Sequence, residues 1–231
     1  MSYYKERNFG MEYSNNDILE LVRRVVSSLG EVGTPTATAD DGLIPVGISN
    51  RHIHLSREDV DTLFGKGYEL TPIKELSQPG QYACRETLTI VGPSLRPIEN
   101  VRVLGPIRPR SQVEISKTDS FVLKLKPPVR ESGKLDGSAP ITIIGPKGAL
   151  TLSEGCIIAN RHIHMSEDEA RVFGLRDFDY VTVDAMGERR TRWYDVQVRV
   201  HKNFRLEMHV DTDDANAVGL GNGAKVKIVK E

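Results

Sequence analysis

The chain has 231 residues, with 31 Lys and Arg against 32 Asp and Glu and a formal net charge of −1. That balance leaves no electrostatic footprint for duplex nucleic acid or an anionic membrane, so small molecules or protein are the expected partners. No apolar stretch approaches the roughly 20 residues of a membrane span, and Lys5-Glu6-Arg7 is followed by no signal-peptide core, so a cytoplasmic protein is expected.

The first element is an isolated amphipathic helix over residues 15–29. Ile18, Leu21, Val22, Val25, Val26 and Leu29 form one helical stripe, with Ser14 to Asn16 as caps and Gly30 as the stop. Small and polar residues from Glu31 to Gly42 make a linker without periodicity. A tethered stripe of this kind either docks on another protein, folds back on its own domain or mediates oligomerisation.

Leu43 to Ser49 is an apolar run that delivers the heptapeptide Asn50-Arg51-His52-Ile53-His54-Leu55-Ser56. Side chains at i and i+2 of a strand share a face, so His52 and His54 form a ready pair of imidazole ligands. Ser56 with Asp59 has the spacing of a capping box, and a short helix runs from there to Phe64-Gly65. A turn-rich excursion follows near residues 65–86. Thr87–Val91, Val101–Leu104 and Ile141–Ile144 read as β-branched strands closed by Gly-Pro, and Phe121–Leu125 and Ala149–Leu152 as further strands. Cys84 and Cys156 belong to no C-x-x-C pair and read as small, buried, reduced thiols.

The heptapeptide then returns as Asn160-Arg161-His162-Ile163-His164-Met165-Ser166, identical at six of seven positions, and Ser166 with Glu169 repeats the helix start. Strands follow at Tyr180–Val183, Val196–Val200, Leu206–Val210 and Lys225–Val229, and Gly219 to Gly223 reads as a turn. Aligning Val101-Arg102-Val103 with Val196-Gln197-Val198 lays Glu114 over His209. Two three-ligand sites are therefore expected, His52, His54 and Glu114 in one half and His162, His164 and His209 in the other. Three protein ligands with one open position suit a catalytic metal centre. His201 has no counterpart in the repeat and is left out.

Many short strands with few helices predict a mainly β chain of two related β-barrels capped by short helices, with the metal pairs near the cleft between them. The expected division is 1–42 for the amphipathic helix and linker, 43–51 plus 160–231 for one barrel, and 52–159 for the other. Arg108, on a segment stiffened by Pro106 and Pro109, is either a phosphate- or carboxylate-binding guanidinium beside the metal or an arginine in a surface turn. Asn50, Arg51, Asn160 and Arg161 are candidates to orient the imidazoles or bind an anion. No G-x-S-x-G elbow, P-loop or dinucleotide motif is present.

The doubled heptapeptide, Pro109-Arg110-Ser111-Gln112-Val113-Glu114-Ile115-Ser116, and Arg205-Leu206-Glu207-Met208-His209-Val210-Asp211-Thr212-Asp213 together resemble the PduL family, the phosphate propanoyltransferases of bacterial microcompartments. The resemblance runs from Leu43 to the C-terminus. It implies reversible acyl transfer between acyl-coenzyme A and acyl phosphate, without a covalent acyl-enzyme, at two zinc ions between two β-barrels. Carried over, His52, His54 and Glu114 would hold one zinc, His162, His164 and His209 the other, and Arg108 would bind phosphate. Residues 15–29 resemble an encapsulation peptide, which implies contact with microcompartment shell or core proteins and location in the microcompartment lumen; a homodimer is expected separately. The competing readings are a metal-dependent thioesterase or other hydrolase, and a non-enzymatic metal-binding or scaffold protein.

Overall fold

A computed structural model describes residues 42–229. The amphipathic segment 15–29 and most of the linker lie outside them. Six strands close one barrel: β1 (Leu43–Ser49), β10 (His162–Met165), β11 (Tyr180–Ala185), β12 (Thr191–Val200), β13 (Glu207–Asp211) and β14 (Lys225–Ile228), ordered β1-β13-β10-β12-β11-β14. The other sheet contains β2 (His52–His54), β3 (Pro72–Glu75), β4 (Tyr82–Val91), β5 (Pro97–Gly105), β6 (Gln112–Glu114), β7 (Val129–Arg130), β8 (Ala139–Ile144) and β9 (Ala149–Ala159). Within it, the order β9-β6-β2-β5-β4-β8 closes on itself because β8 pairs with both β4 and β9, leaving β3 and β7 as attachments.

The two barrels share one wiring. β1 lies parallel to β13 as β9 does to β6, β10 parallel to β12 as β2 does to β5, and the remaining neighbours are antiparallel in both. Each histidine strand is preceded by a strand of the opposite barrel: β1 runs into β2, and β9 into β10. Asn50-Arg51 and Asn160-Arg161 are therefore the crossings between barrels.

Alternation along the strands decides what these crossings present. Ile53 and Ile163 are fully buried in the two separate cores, each burial contributing roughly 1.5–3 kcal/mol. Their neighbours His52, His54, His162 and His164 must then point out of the barrels. All four are nonetheless buried, with His54 only 2% exposed, because they lie in a cleft lined from both barrels.

Four short helices, α1 (Arg57–Phe64), α2 (Lys117–Leu123), α3 (Glu167–Phe173) and α4 (Thr212–Val218), are present among the described residues. None is long and apolar enough to cross a membrane. α3 starts with the complete capping box of Ser166 and Glu169. α1 has half of one: Ser56 caps Asp59, but the Asp59 carboxylate takes the Ser111 hydroxyl instead.

In place of the strand expected at Phe121–Leu125, Phe121–Leu123 form the last turn of α2 and Lys124 closes it in a left-handed conformation. Ser116 and Asp119 form a full capping box at its start, Leu123 is buried, and Phe121 stays 70% exposed, so capping and one buried anchor outweigh the strand preference of Phe-Val. α4 was not expected from sequence; Asp211 caps it and Gly219 closes it in a left-handed conformation at φ 73°. Between α1 and β4 the excursion contains the exposed strand β3, paired with β4, and the buried side chains of Leu70 and Gln78. Glycine at the Gly92-Pro93 strand end has a packing reason, since a Cβ there would fall 2.3 Å from the Leu123 carbonyl at the end of α2.

Candidate active site

The cleft between the barrels gathers all six expected metal ligands. His52, His54 and Glu114 form one cluster and His162, His164 and His209 a second, the ligand atoms of each lying within 4.8 Å of one another. Cross-strand register builds both. His52 stands opposite Glu114 on β6, and His162 stands opposite His209 on β13. The imidazoles of each His-x-His pair meet edge to face, with centroids 5.0 and 4.7 Å apart.

The ring nitrogens are set by the crossings. Nδ1 of His52 lies 2.8 Å from the Asn50 carbonyl, and Nδ1 of His162 2.8 Å from that of Asn160. A carbonyl only accepts, so Nδ1 carries the hydrogen and Nε2 keeps its lone pair. In contrast, Nδ1 of His54 and of His164 are buried with no hydrogen-bond partner. A buried polar atom without a partner is costly, and a metal ion satisfies it. The residues thus fit zinc: a cluster of two imidazoles and a carboxylate beside a cluster of three imidazoles, with a backbone acceptor orienting one ring in each.

Electrostatics separate the clusters. Burial alone would raise the Glu114 carboxyl, but the neighbouring His52, with His54 and Arg108 nearby, holds it well below the usual carboxylate range. Burial opposes protonation of His52, yet Glu114, 3.4 Å from Nε2, raises its pKa overall. His54 is pushed well down by burial and by His52. In the second cluster burial and neighbouring histidines push His162 down to about 4 and His164 to about 2, so both rings are neutral at pH 7.

Arg108 is half-buried and faces the cleft. Its backbone N–H donates to the Leu55 carbonyl at 2.9 Å, its guanidinium donates to the Ser132 hydroxyl at 3.1 Å, and it lines the cleft with both clusters. Burial lowers its pKa, Glu114 opposes that, and the guanidinium of Arg199 adds to it. The repeated arginines have another use. Arg51 closes a two-pronged pair on Asp119 of α2, and Arg161 pairs with Asp214 of α4 at 3.1 Å. They pin each crossing to the helix that follows Glu114 or His209, and the asparagines act on the imidazoles through their backbone carbonyls. Cys84 and Cys156 are buried, and burial pushes their thiols up to about 11 and about 12.

Three residues here were not expected from sequence. Arg199 lines the cleft opposite His164 and lies 3.6 Å from Glu131. Its position in the repeat matches Leu104, so no pattern marked it. Gln112 donates to Glu114 at 2.5 Å, and Glu207 lies 2.6 Å from Nε2 of His209. Burial would raise the Glu207 carboxyl, but hydrogen bonds from His209 and Ser77 lower it. Both sit two residues before a third ligand, a spacing that could have marked them.

A family model described as phosphate propanoyltransferase matches residues 45–221. A phosphate propanoyltransferase of Thermotoga maritima is 58% identical over 192 residues, covering 83% of this chain and 90% of its own. One from Clostridioides difficile is 48% identical, covering 85% and 93%. One from Rhodopseudomonas palustris is 46% identical over 227 residues, covering 96% and 100%.

Proposed function

The chain belongs to the phosphate propanoyltransferase family, a family of transferases, and from that premise we propose that it moves a propanoyl or acetyl group reversibly between coenzyme A and phosphate at a two-metal cleft. The observation that carries the reading is the pair of buried, unpartnered Nδ1 atoms of His54 and His164, one in each cluster on a shared cleft. His52, His54 and Glu114 would hold one zinc ion and His162, His164 and His209 the other. Zinc so bound supplies a Lewis acid and a soft partner for thiolate sulfur.

The chain's own groups do the rest. Arg108, oriented by Ser132, binds the phosphate dianion with two parallel N–H donors, and Arg199 adds a second positive charge to the same cleft. Both hold a phosphate oxygen against the thioester carbonyl carbon. The new C–O bond forms as the C–S bond breaks, and the proton that phosphate carried ends on the coenzyme A sulfur. Phosphate attacks directly, and neither cysteine offers a nucleophile for an acyl-enzyme, since both thiols are buried in the core of their barrel with raised pKa values.

The segment 15–29 would carry the chain to shell or core proteins of a bacterial microcompartment and so into its lumen, with a homodimer as the working unit. That part rests on the amphipathic pattern and the resemblance alone.

The test is release of free thiol from propanoyl-coenzyme A, with and without phosphate, by metal-loaded protein and by the His162→Ala, His164→Ala double variant. Phosphate-dependent release, lost in a folded double variant, is expected. Thiol release without phosphate would instead establish a hydrolase, and no release under any condition would favour a metal-binding scaffold.

A further inference from the structure

We propose that Glu207 is a positioning residue for the second cluster, holding His209 for its metal and making good there the carboxylate that the first cluster has as a ligand. This rests on the two-metal reading above.

The register places Glu207 and Gln112 at equivalent points of the two barrels. Glu207 stands opposite His164 and Gln112 opposite His54, each on the same strand face as the third ligand two residues on. Their chemistry is inverted to suit that ligand. In the first cluster the third ligand is a carboxylate, and Gln112 offers it an N–H at 2.5 Å. In the second it is an imidazole, and Glu207 offers Nε2 an acceptor at 2.6 Å. A neutral imidazole that gives its hydrogen to a carboxylate has one fixed tautomer, a fixed ring plane and a more basic second nitrogen. Each cluster then has one carboxylate, as ligand in one and as the ligand's support in the other.

Glu207 is itself held from two sides. A Cβ at Gly47 on β1 would fall 2.9 Å from its Cδ, so that glycine makes room for the carboxyl. From the opposite barrel, the Ser77 hydroxyl donates to the Glu207 carboxylate. The adjacent Gln78, 2% exposed, accepts from the Arg205 N–H at 3.2 Å and donates to the Arg205 carbonyl at 3.0 Å. The excursion between α1 and β4 therefore reaches across the cleft to fix the residue that fixes His209.

The test is zinc competition against a chromogenic chelator on the full metal-stripped chain. Wild type should take up two equivalents. Glu207→Gln should weaken one equivalent by roughly 10- to 100-fold and leave the other unchanged, with Glu207→Asp recovering part of the loss. Two equivalents at wild-type affinity in Glu207→Gln would overturn the proposal and leave the two-metal reading standing, whereas fewer than two in wild type would overturn both. If Glu207→Gln fails to fold, Ser77→Ala is read in the same titration: selective weakening of one equivalent supports the proposal, and unchanged affinity overturns it.

Discussion

His52 and Glu114 face each other across β2 and β6 with Nε2 and Oε2 3.4 Å apart, and His162 faces His209 at the same register position of the other barrel. One piece of wiring thus builds two clusters that differ in one ligand and hence in charge. Their difference can be measured.

Each cluster should lose its metal separately. Glu114→Ala and His209→Ala are each expected to retain one zinc equivalent against two in wild type, read by elemental analysis after dialysis. Ligand that binds only the folded state stabilises it by about 2.7 kcal/mol at a hundredfold excess over Kd. Chelation should therefore lower Tm in wild type, and by less in either variant. Equal Tm with and without metal in wild type would remove the basis for both clusters.

Arg108→Ala should raise KM for phosphate with little change in KM for acyl-coenzyme A. A hydrogen bond to a charged group contributes about 1.5–3 kcal/mol, which corresponds to roughly 10- to 100-fold in kcat/KM for phosphate. Arg108→Lys should recover only part, because an ammonium lacks the planar fork. An unchanged phosphate dependence would remove Arg108 from the site.

Stability of the metal-free protein should fall in acid. Burial lowers His162 to about 4 and His164 to about 2, from an ordinary 6.5. Below pH 6.5 the unfolded chain takes up protons that the folded chain still refuses, so stability is greatest above pH 6.5 and declines toward pH 4. Each histidine contributes a slope of up to about 1.4 kcal/mol per pH unit. The His162→Ala, His164→Ala variant should show a flatter decline in denaturant titrations at pH 7, 6 and 5; the same slope as wild type would show that these rings do not stay neutral.

Neither cysteine should be needed for turnover. Cys84→Ala and Cys156→Ala each leave a small cavity in the core, costing about 1 kcal/mol, but activity should stay within about twofold of wild type. Intact-mass analysis during turnover should find no acylated protein. An acyl adduct on either sulfur would contradict direct attack by phosphate.

Some sequence expectations failed for a local reason. Phe121–Leu125 has strand-like composition, but Ser116 and Asp119, three residues apart, cap a helix that runs through Leu123. Asp211 and Gly219 bracket α4 as cap and stop, so the first of the turn glycines also ends a helix. Both signals were present in the sequence.

What the sequence by itself determined is which side chains meet in the cleft: the doubled heptapeptide, strand alternation that puts both histidines of a pair on one face, and a repeat register that matched Glu114 to His209. These follow from periodicity along single strands, a local property that needs no knowledge of partners. Only the tertiary structure decided that Arg51 and Arg161 pair with Asp119 and Asp214 rather than with an anion, that Arg199 joins Arg108, and that Ser77 and Gln78 reach Arg205 and Glu207. Ser77 and Glu207 stand 130 residues apart. Contacts of that separation are set by how the closed barrels pack against one another, and no spacing within a strand encodes them.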